Sequence, residues 1–394
     1  MESPLPEVPL FKVFSFLDVF DLLRAGQVNK YWNKVADSDR LWRDLCLKKW
    51  SFYNFSCEHL GPQTWKQFLL NQIRHERRME LAQPEDFIYK KTTGNLGLGT
   101  AYLSGSGPSM NGREKSVICT VSSKRMLYAW DAWEVGNSEG DIYTLTVPEL
   151  RSVSKVNAFN YSVDFLHCSP DKKWIFASGT HQHILPKVLF VECLLRPSEG
   201  ESPLSVSLPF SSCCRACWAP RRANRITMMF RRASFKKTGF STFDLTLERT
   251  GGRTAIQAHQ IASFLLPVHM ESPIWMGVSD GNMIVFESGP YLFLFTINGL
   301  QLQQFDDHEL TICNLWVDSL HVLTTSMDNY LHMYMWEEEG RYPYLKSCFH
   351  LEHIRNDYTP SCFFPKAICD NTSVVCVVSR SRETSILVMY SLNV

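Results

Sequence analysis

The feature that most limits this chain is a change of hydrophobic period near residue 83. Before it, apolar residues recur three and four positions apart, the spacing of one helix face. After it they come in short runs broken by polar turns, the spacing of strands. A chain of 394 residues that switches period once has room for two or three units. The expected class is α+β and multidomain, with a small all-α region first and an all-β region behind it.

The helical part can be followed turn by turn. Leu10, Val13, Phe14 and Leu17 fall at i, i+3, i+4 and i+7. Pro6 and Pro9 stand near the start of that helix, where a missing N–H costs little. Asp18 or Asp21 can cap a second helix carrying Leu22 and Leu23, and Gly26 can end it. Val28, Tyr31, Trp32 and Val35 repeat the spacing, and Asp37-Ser38-Asp39 offers a cap before Leu41, Trp42 and Leu45. Helices of about three turns are not stable alone. Phe11, Phe14, Phe16, Leu17, Val19 and Phe20 lie within ten residues. A unit of this size cannot hide so much apolar surface, so either another protein or the next domain must cover it. A longer helix follows. Thr64 and Gln67 have the capping-box spacing, Trp65, Phe68, Leu69, Gln72, Ile73 and Glu76 continue the stripe, and Pro84 stops it. That helix either spaces the two ends of the molecule or lies flat on its neighbours.

The β part repeats. Turns are expected near Ser123-Lys124, Gly179-Thr180, Phe235-Lys236, Asp280-Gly281, Met327-Asp328 and Arg380-Ser381. Their spacing is near the length of one four-stranded propeller blade. The clearest units are Trp275 to Phe286 and Leu320 to Trp336, each a strand, an Asp-containing turn and a second strand.

Charge and composition narrow the function classes. Lys+Arg and Asp+Glu balance at 40 each, so no whole-chain field calls for nucleic acid or a membrane surface. No apolar run of about 18 residues occurs, and Met1 to Leu10 has no basic stretch of the kind that opens a signal peptide. With that start, the odd total of 13 cysteines reads as reduced thiols in the cytosol or nucleus. Cys213, Cys214 and Cys217 contain one Cys-x-x-Cys pair without a second, and His181 and His183 are far from it, so buried thiols are expected rather than a metal. Gly94, Gly97 and Gly99 lack the strand–helix context of a phosphate loop. His308 beside Asp307 has the look of an acid–base pair, but a structural role in a blade is the expectation. No cofactor and no catalytic residue is expected. Arg221, Arg222, Arg225, Arg231, Arg232, Lys236 and Lys237 crowd a hairpin; they are either solvated turn residues or a patch for an acidic or phosphorylated target. Arg231-Arg232-Ala233-Ser234 also has the pattern of a basophilic kinase site at Ser234.

Two resemblances join these parts. Leu5-Pro6, Phe14-Ser15-Phe16-Leu17-Asp18, Asp21-Leu22-Leu23, Gln27-Val28-Asn29-Lys30, Trp32-Asn33 and Leu41-Trp42 resemble an F-box over residues 5–46. Trp130-Asp131 resembles the end of a WD repeat. Asp307-His308, Thr324 and Asp328 with Tyr334 or Trp336 resemble one nearly whole repeat. Tyr334 has the usual offset from Asp328, and Phe286 has that offset from Asp280 but no N–H to donate. The whole chain resembles the F-box/WD-repeat family, within a divergent mammalian branch.

The resemblance implies an F-box at 1–50, a linker helix region at 51–85 and a degenerate WD-repeat propeller of six to seven blades at 86–394. It implies a non-catalytic subunit that docks a Skp-type adaptor of a cullin-RING ubiquitin ligase and binds an unknown protein substrate. Leu5, Pro6, Phe14, Phe16, Leu17, Leu22, Leu23, Val28 and Trp32 are then the expected docking face or its support. The alternative is a propeller scaffold without a ligase. Between Trp130-Asp131 and Gly140-Asp141 about ten residues stand where more strands belong, so the chain resembles a shortened form joined at Ala132-Trp133-Glu134-Val135-Gly136. A full four-stranded sheet within 117–150 would contradict that, and an incomplete ring would agree with it.

Overall fold

A computed structural model describes residues 5–49, 60, 62–94, 101–104, 117–120, 134–136, 141–145, 152–161, 163, 165–179, 184–195, 203–232, 237–250, 253–338, 341–352, 363–369, 371–379 and 385–393. The chain forms two compact units, the first holding the helices of residues 7–81 and the second most of the strands.

In the first unit, α1 (Glu7–Phe14), α2 (Val19–Ala25), α3 (Lys30–Ala36), α4 (Asp39–Lys49) and α5 (Trp65–Leu81) follow one another. Local chemistry sets their ends. The Asp18 carboxylate accepts from Asp21 N at 2.7 Å and caps α2. The Asn29 side chain accepts from Trp32 N at 2.8 Å and caps α3. That cap corrects the expected start of α3, because it leaves Val28 in the preceding turn and outside the helix. Thr64 and Gln67 form the capping box in both directions, at 3.2 and 3.0 Å. The stripe Trp65, Phe68, Leu69 and Met79 of α5 is buried. This helix lies against α4: Cys46 Sγ faces Trp65 O, and Lys49 Nζ reaches the buried Glu76 carboxylate at 2.6 Å. Burial raises the Cys46 thiol to about 12, so it is a packed, inert thiol.

The second unit is built of antiparallel sheets whose strands follow chain order. Four-stranded meanders cover Phe165–Cys168 to Ser205–Ser207, Cys213–Trp218 to Arg253–Leu265, Met276–Ser279 to Gln301–Phe305 and Ile312–Val317 to Tyr344–Glu352. A fifth four-stranded sheet has a different origin. Phe363–Cys369, Ser373–Ser379 and Ser385–Leu392 are joined by Phe87–Gly94, which pairs with the last strand from Phe87↔Leu392 to Gly94↔Ser385. Glu134–Gly136, Asp141–Leu145 and Ser152–Asn157 make a three-stranded sheet, and Ala101–Ser104 pairs with Val117–Thr120. Among the described residues no four-stranded sheet lies within 117–150. Trp130-Asp131 lies outside the described residues, as do Ser123-Lys124, His181, His183, Gly97, Gly99, Ser234 and Arg380-Ser381.

The sheets stand side by side, and the alternation of strand side chains explains their interiors. In Met283–Ser288, Ile284 and Phe286 pack toward the preceding sheet, with Met229, Phe240 and Leu266. Met283 and Val285 pack toward the following one, with Ile312, Leu315 and Tyr334. A strand covered on both faces carries a continuous apolar run, as this one does. First strands of neighbouring sheets come very close: a side chain on Gly277 would meet Val317 Cγ2 at 2.2 Å. Asn282 and Asn329 take positive φ values of 61° and 67° in the turns expected near Asp280-Gly281 and Met327-Asp328, a conformation Asn tolerates.

Candidate functional site

The helical unit buries one face and leaves another open. Leu10 and Phe14, four residues apart on α1, point inward, and the Trp32 ring meets Phe14 edge-on at 5.3 Å. Leu22 of α2 and Val35 of α3 complete this interior. Tyr31 Oη donates to Leu5 O at 2.9 Å and ties the segment before α1 to α3. Asn33 Nδ2 donates to Gly26 O at 2.9 Å and fixes the turn between α2 and α3.

Those same turns push apolar side chains outward. Val8 is 80% exposed, Phe16 76%, Val28 60% and Phe20 58%. Leu5 and Val13 are also exposed. Of the nine residues singled out from sequence, Leu5, Pro6, Phe16 and Val28 are exposed, Leu17, Leu23 and Trp32 are half-buried, and Phe14 and Leu22 are fully inside. Sequence reasoning did not single out Val8 and Val13 as docking residues. The helical wheel of α1 would have flagged Val8, which lies opposite Leu10 and Phe14.

A second constellation lies inside the 312–352 sheet. His308 Nδ1 is 3.0 Å from Asp328 Oδ2, and His308 Nε2 is 2.8 Å from Thr324 Oγ1. Tyr334 Oη donates to Asp307 Oδ2 at 2.7 Å. Tyr334 therefore stands where a WD repeat has Trp, while Trp336 Nε1 donates to Asp318 O at 3.2 Å outside the network. Burial pushes the Asp328 carboxyl up, but the His308 hydrogen bond and the N–H groups of Tyr330 and Glu309 outweigh it and hold it below its ordinary value. Burial and the Asp307 charge raise the Tyr334 phenol. Hydroxyl, imidazole and carboxylate stand in the order of a nucleophilic relay. Thr324 and His308 are buried within the sheet, however, so no substrate atom can approach the hydroxyl. His308 pairs with Asp328 and not with its neighbour Asp307, and its role is to join a turn to a strand.

The remaining clusters are engaged structurally. Donor atoms of Asp318, His321 and Cys369 lie within 4.8 Å of one another, a mixed set that softer divalent ions accept. Asp318 Oδ1 already takes the N–H groups of Leu320 and His321 at 2.8 and 2.6 Å, and its Oδ2 faces His321 Nδ1 at 3.2 Å. This carboxylate shapes a turn. Cys213, Cys214 and Cys217 point their sulfurs at the carbonyls of Arg215, Ser212 and Met276. Burial raises all three thiols, Cys217 to about 11, which disfavours metal-binding thiolate.

The arginine cluster does not form one patch. Strand Arg225–Arg232 separates Arg221, Arg222 and Arg225 from Arg231, Arg232 and Lys237 by roughly 20 Å. Arg225 forks onto both oxygens of Asp244 at 2.7 and 2.6 Å. Arg221 pairs with Asp280 at 3.3 Å and Glu338 at 3.6 Å. Asp280 thus serves a neighbouring sheet's arginine; its turn joins the first two strands of its sheet whereas the Asp328 turn joins the second and third of its own, so Phe286, on a second strand, is not the repeat position that its offset from Asp280 suggested.

Comparison with known proteins agrees with this division. Residues 3–48 match the F-box-like family. The chain is 48% identical to F-box/WD repeat-containing protein 12 of Homo sapiens, with both chains covered completely. It is 34% identical to F-box/WD repeat-containing protein 15 of Mus musculus, again over all of both chains. The alignment to the human protein is 465 positions long against 394 residues here, so that relative carries stretches this chain lacks. Among solved structures, the β-propeller domain of Myceliophteria thermophila Cps50 (Swd1) is similar at a TM-score of 0.43 and 9% identity, covering 64% of this chain and 77% of that one. No described helix is long and apolar enough to cross a membrane. Helices matching an F-box, a meander of four-stranded sheets and whole-length identity to such relatives together show that the chain belongs to the F-box/WD repeat-containing protein family.

Proposed function

We propose that this protein is the substrate-recruiting subunit of a cullin-type ubiquitin ligase. The F-box docks a Skp-type adaptor, and the sheets hold a target protein. The carrying observation is the open apolar face of the helical unit: Leu5, Pro6, Phe16 and Val28 at the surface, with Leu17, Leu23 and Trp32 half-buried beside them. A small unit leaves such a face uncovered at a cost of roughly 25 cal/mol per Å², which burial against a partner recovers. Phe14 and Leu22 act from inside, holding the turns that present Phe16 and Val28.

The contribution is positional. Bringing a target lysine near a charged ubiquitin carrier raises effective concentration, and no bond need form or break on this chain. Cys46, Cys213, Cys217 and Cys313, all with raised thiol values, suit a structural role in the reducing cytosol or nucleus. Capture of a purified Skp-type adaptor by the full chain tests the reading. Phe16→Asp with Val28→Asp should abolish capture while leaving the helical circular-dichroism signal intact. Capture unchanged by that pair, or no capture by the natural chain, would overturn it and leave a scaffold without a ligase. Phe14→Ala is a poor probe, because it removes interior packing.

A further inference from the structure

Two neighbouring sheets place an aspartate just after their first strand, and the two are neutralised differently. Asp280 follows Met276–Ser279, and Asp318 follows Ile312–Val317. Asp280 pairs with Arg221 of the preceding sheet. Among the described residues no Lys or Arg pairs with Asp318, whose ion-pair partner is His321. Cys369, the last residue of Phe363–Cys369, comes from the following sheet and completes a group of three.

Asp318 holds its turn through Oδ1, which accepts from the N–H groups of Leu320 and His321, so Oδ2 is left to face the group. Donor atoms of Asp318, His321 and Cys369 lie within 4.8 Å of one another. A zinc ion sits about 2.0–2.3 Å from oxygen, nitrogen and sulfur ligands, which spaces ligand atoms on a tetrahedron roughly 3.2–3.7 Å apart. Asp318 Oδ2 and His321 Nδ1 already stand 3.2 Å apart. Cys369 Sγ therefore needs to close by about 1 Å at most. His321 and Cys369 are buried. Asp318 is half-buried, which leaves a way in and lets a solvent molecule serve as a fourth ligand.

We propose that Asp318, His321 and Cys369 bind a zinc ion that ties the 312–352 sheet to the sheet closed by Phe87–Gly94. Carboxylate and thiolate bring two negative charges and the imidazole none, so a dication makes the buried group neutral. At Asp318 the ion takes the place that Arg221 has at Asp280. Binding forms a Zn–S bond and releases the thiol proton to water, with no change of oxidation state. Oxygen, nitrogen and sulfur donors together suit zinc, whereas magnesium and calcium take oxygen. The role of the ion is structural. Asn314 Oδ1 accepts from Ala367 N at 3.3 Å across the same two sheets, so the ion reinforces an existing seam, and its site exists only once those sheets have met. The inference does not rest on the ligase reading.

The test is the metal content of the full chain after loading with zinc chloride and desalting. Zinc should stay bound, and the melting temperature should rise by roughly 5 °C over the chelated protein. Cys369→Ser and His321→Gln should each lose the ion and the rise, with adaptor capture unchanged. X-ray absorption at the zinc edge of the natural chain needs no variant to fold, and it should show a single sulfur among nitrogen and oxygen ligands. Zinc held instead by Cys213, Cys214 and Cys217 would show two or more sulfurs. No retained zinc, a ligand set with no sulfur or with more than one, or undiminished retention in either folded variant would each overturn the proposal.

Discussion

The 276–305 and 312–352 sheets have the same strand order and neighbour each other, yet their interiors rest on different chemistry. In the first, Phe286 sits among Phe240, Phe293 and Phe295 with ring centres 5.1 to 5.6 Å apart. In the second, Tyr334 lies on the third strand, in the place that Phe295 has in the first, and Asp307, His308, Thr324 and Asp328 surround it with hydrogen bonds. The repeat geometry therefore does not require the polar network. Strand pairing and cover on both faces set the sheet, and either rings or hydrogen bonds can fill its end.

The comparison can be broken most forcefully at Phe286. Phe286→Ala should cost about 3–5 kcal/mol by leaving a cavity among rings. Hydrogen exchange should show lost protection in strands 283–288 and 291–296 and much less in 321–326. Equal loss in both sheets would mean that they open as one body and their interiors are not independent.

Replacing His308 by Leu should cost about 2–3 kcal/mol, because Asp328 and Thr324 each lose a buried partner. Urea unfolding of the full chain measures it. A cost below about 0.5 kcal/mol would make the polar network ornamental and the two sheets alike.

A finer distinction lies in pH. Burial, aided by the neighbouring charges of His308 and His350 and opposed by Asp307 and Asp328, lowers His332 from 6.5 to about 4. Its contribution to stability is present above pH 6.5 and is lost as pH falls through 4. Burial raises Glu287 from 4.5 to about 7, against the N–H groups of Ile274 and Trp275 and the Arg215 charge. Its contribution is present below pH 4.5 and is lost as pH rises through 7. The two slopes oppose each other, each at most about 1.4 kcal/mol per pH unit. His332→Asn should make stability fall more steeply toward neutral pH, and Glu287→Gln should flatten that fall. Urea midpoints from pH 4 to 8 would sharpen or refute the assignment of one slope to each sheet.

Features set by neighbouring residues were legible in the sequence. Asp18 as a cap, the Thr64–Gln67 box and the offset that picks Tyr334 over Trp336 are all short-range. Phe286 was misassigned as the counterpart of Tyr334: its offset from Asp280 is the same, but Asp280 follows the first strand of its sheet and Asp328 the second of its own, so the true counterpart is Phe295. Errors began where an element ended. Phe14 and Phe16 are two residues apart, but α1 stops at Phe14, so periodicity could not tell the buried ring from the exposed one. Val28 fitted a helical stripe, but the Asn29 cap starts the helix after it. Partners far along the chain left no local mark. Nothing near Asp280 announces Arg221, and nothing in Phe87–Gly94 announces Ser385–Leu392.

That last pairing has a consequence for synthesis. On the ribosome, Phe87–Gly94 emerges long before the strand it will hydrogen-bond to. At about 5–20 residues per second, the wait is roughly 15–60 seconds. Throughout it, one edge of the future sheet has unsatisfied amides, while the helices made just before can already have folded. A nascent polypeptide of this design waits with folded helices and an unsealed sheet, open to chaperones until Ser385–Leu392 arrives.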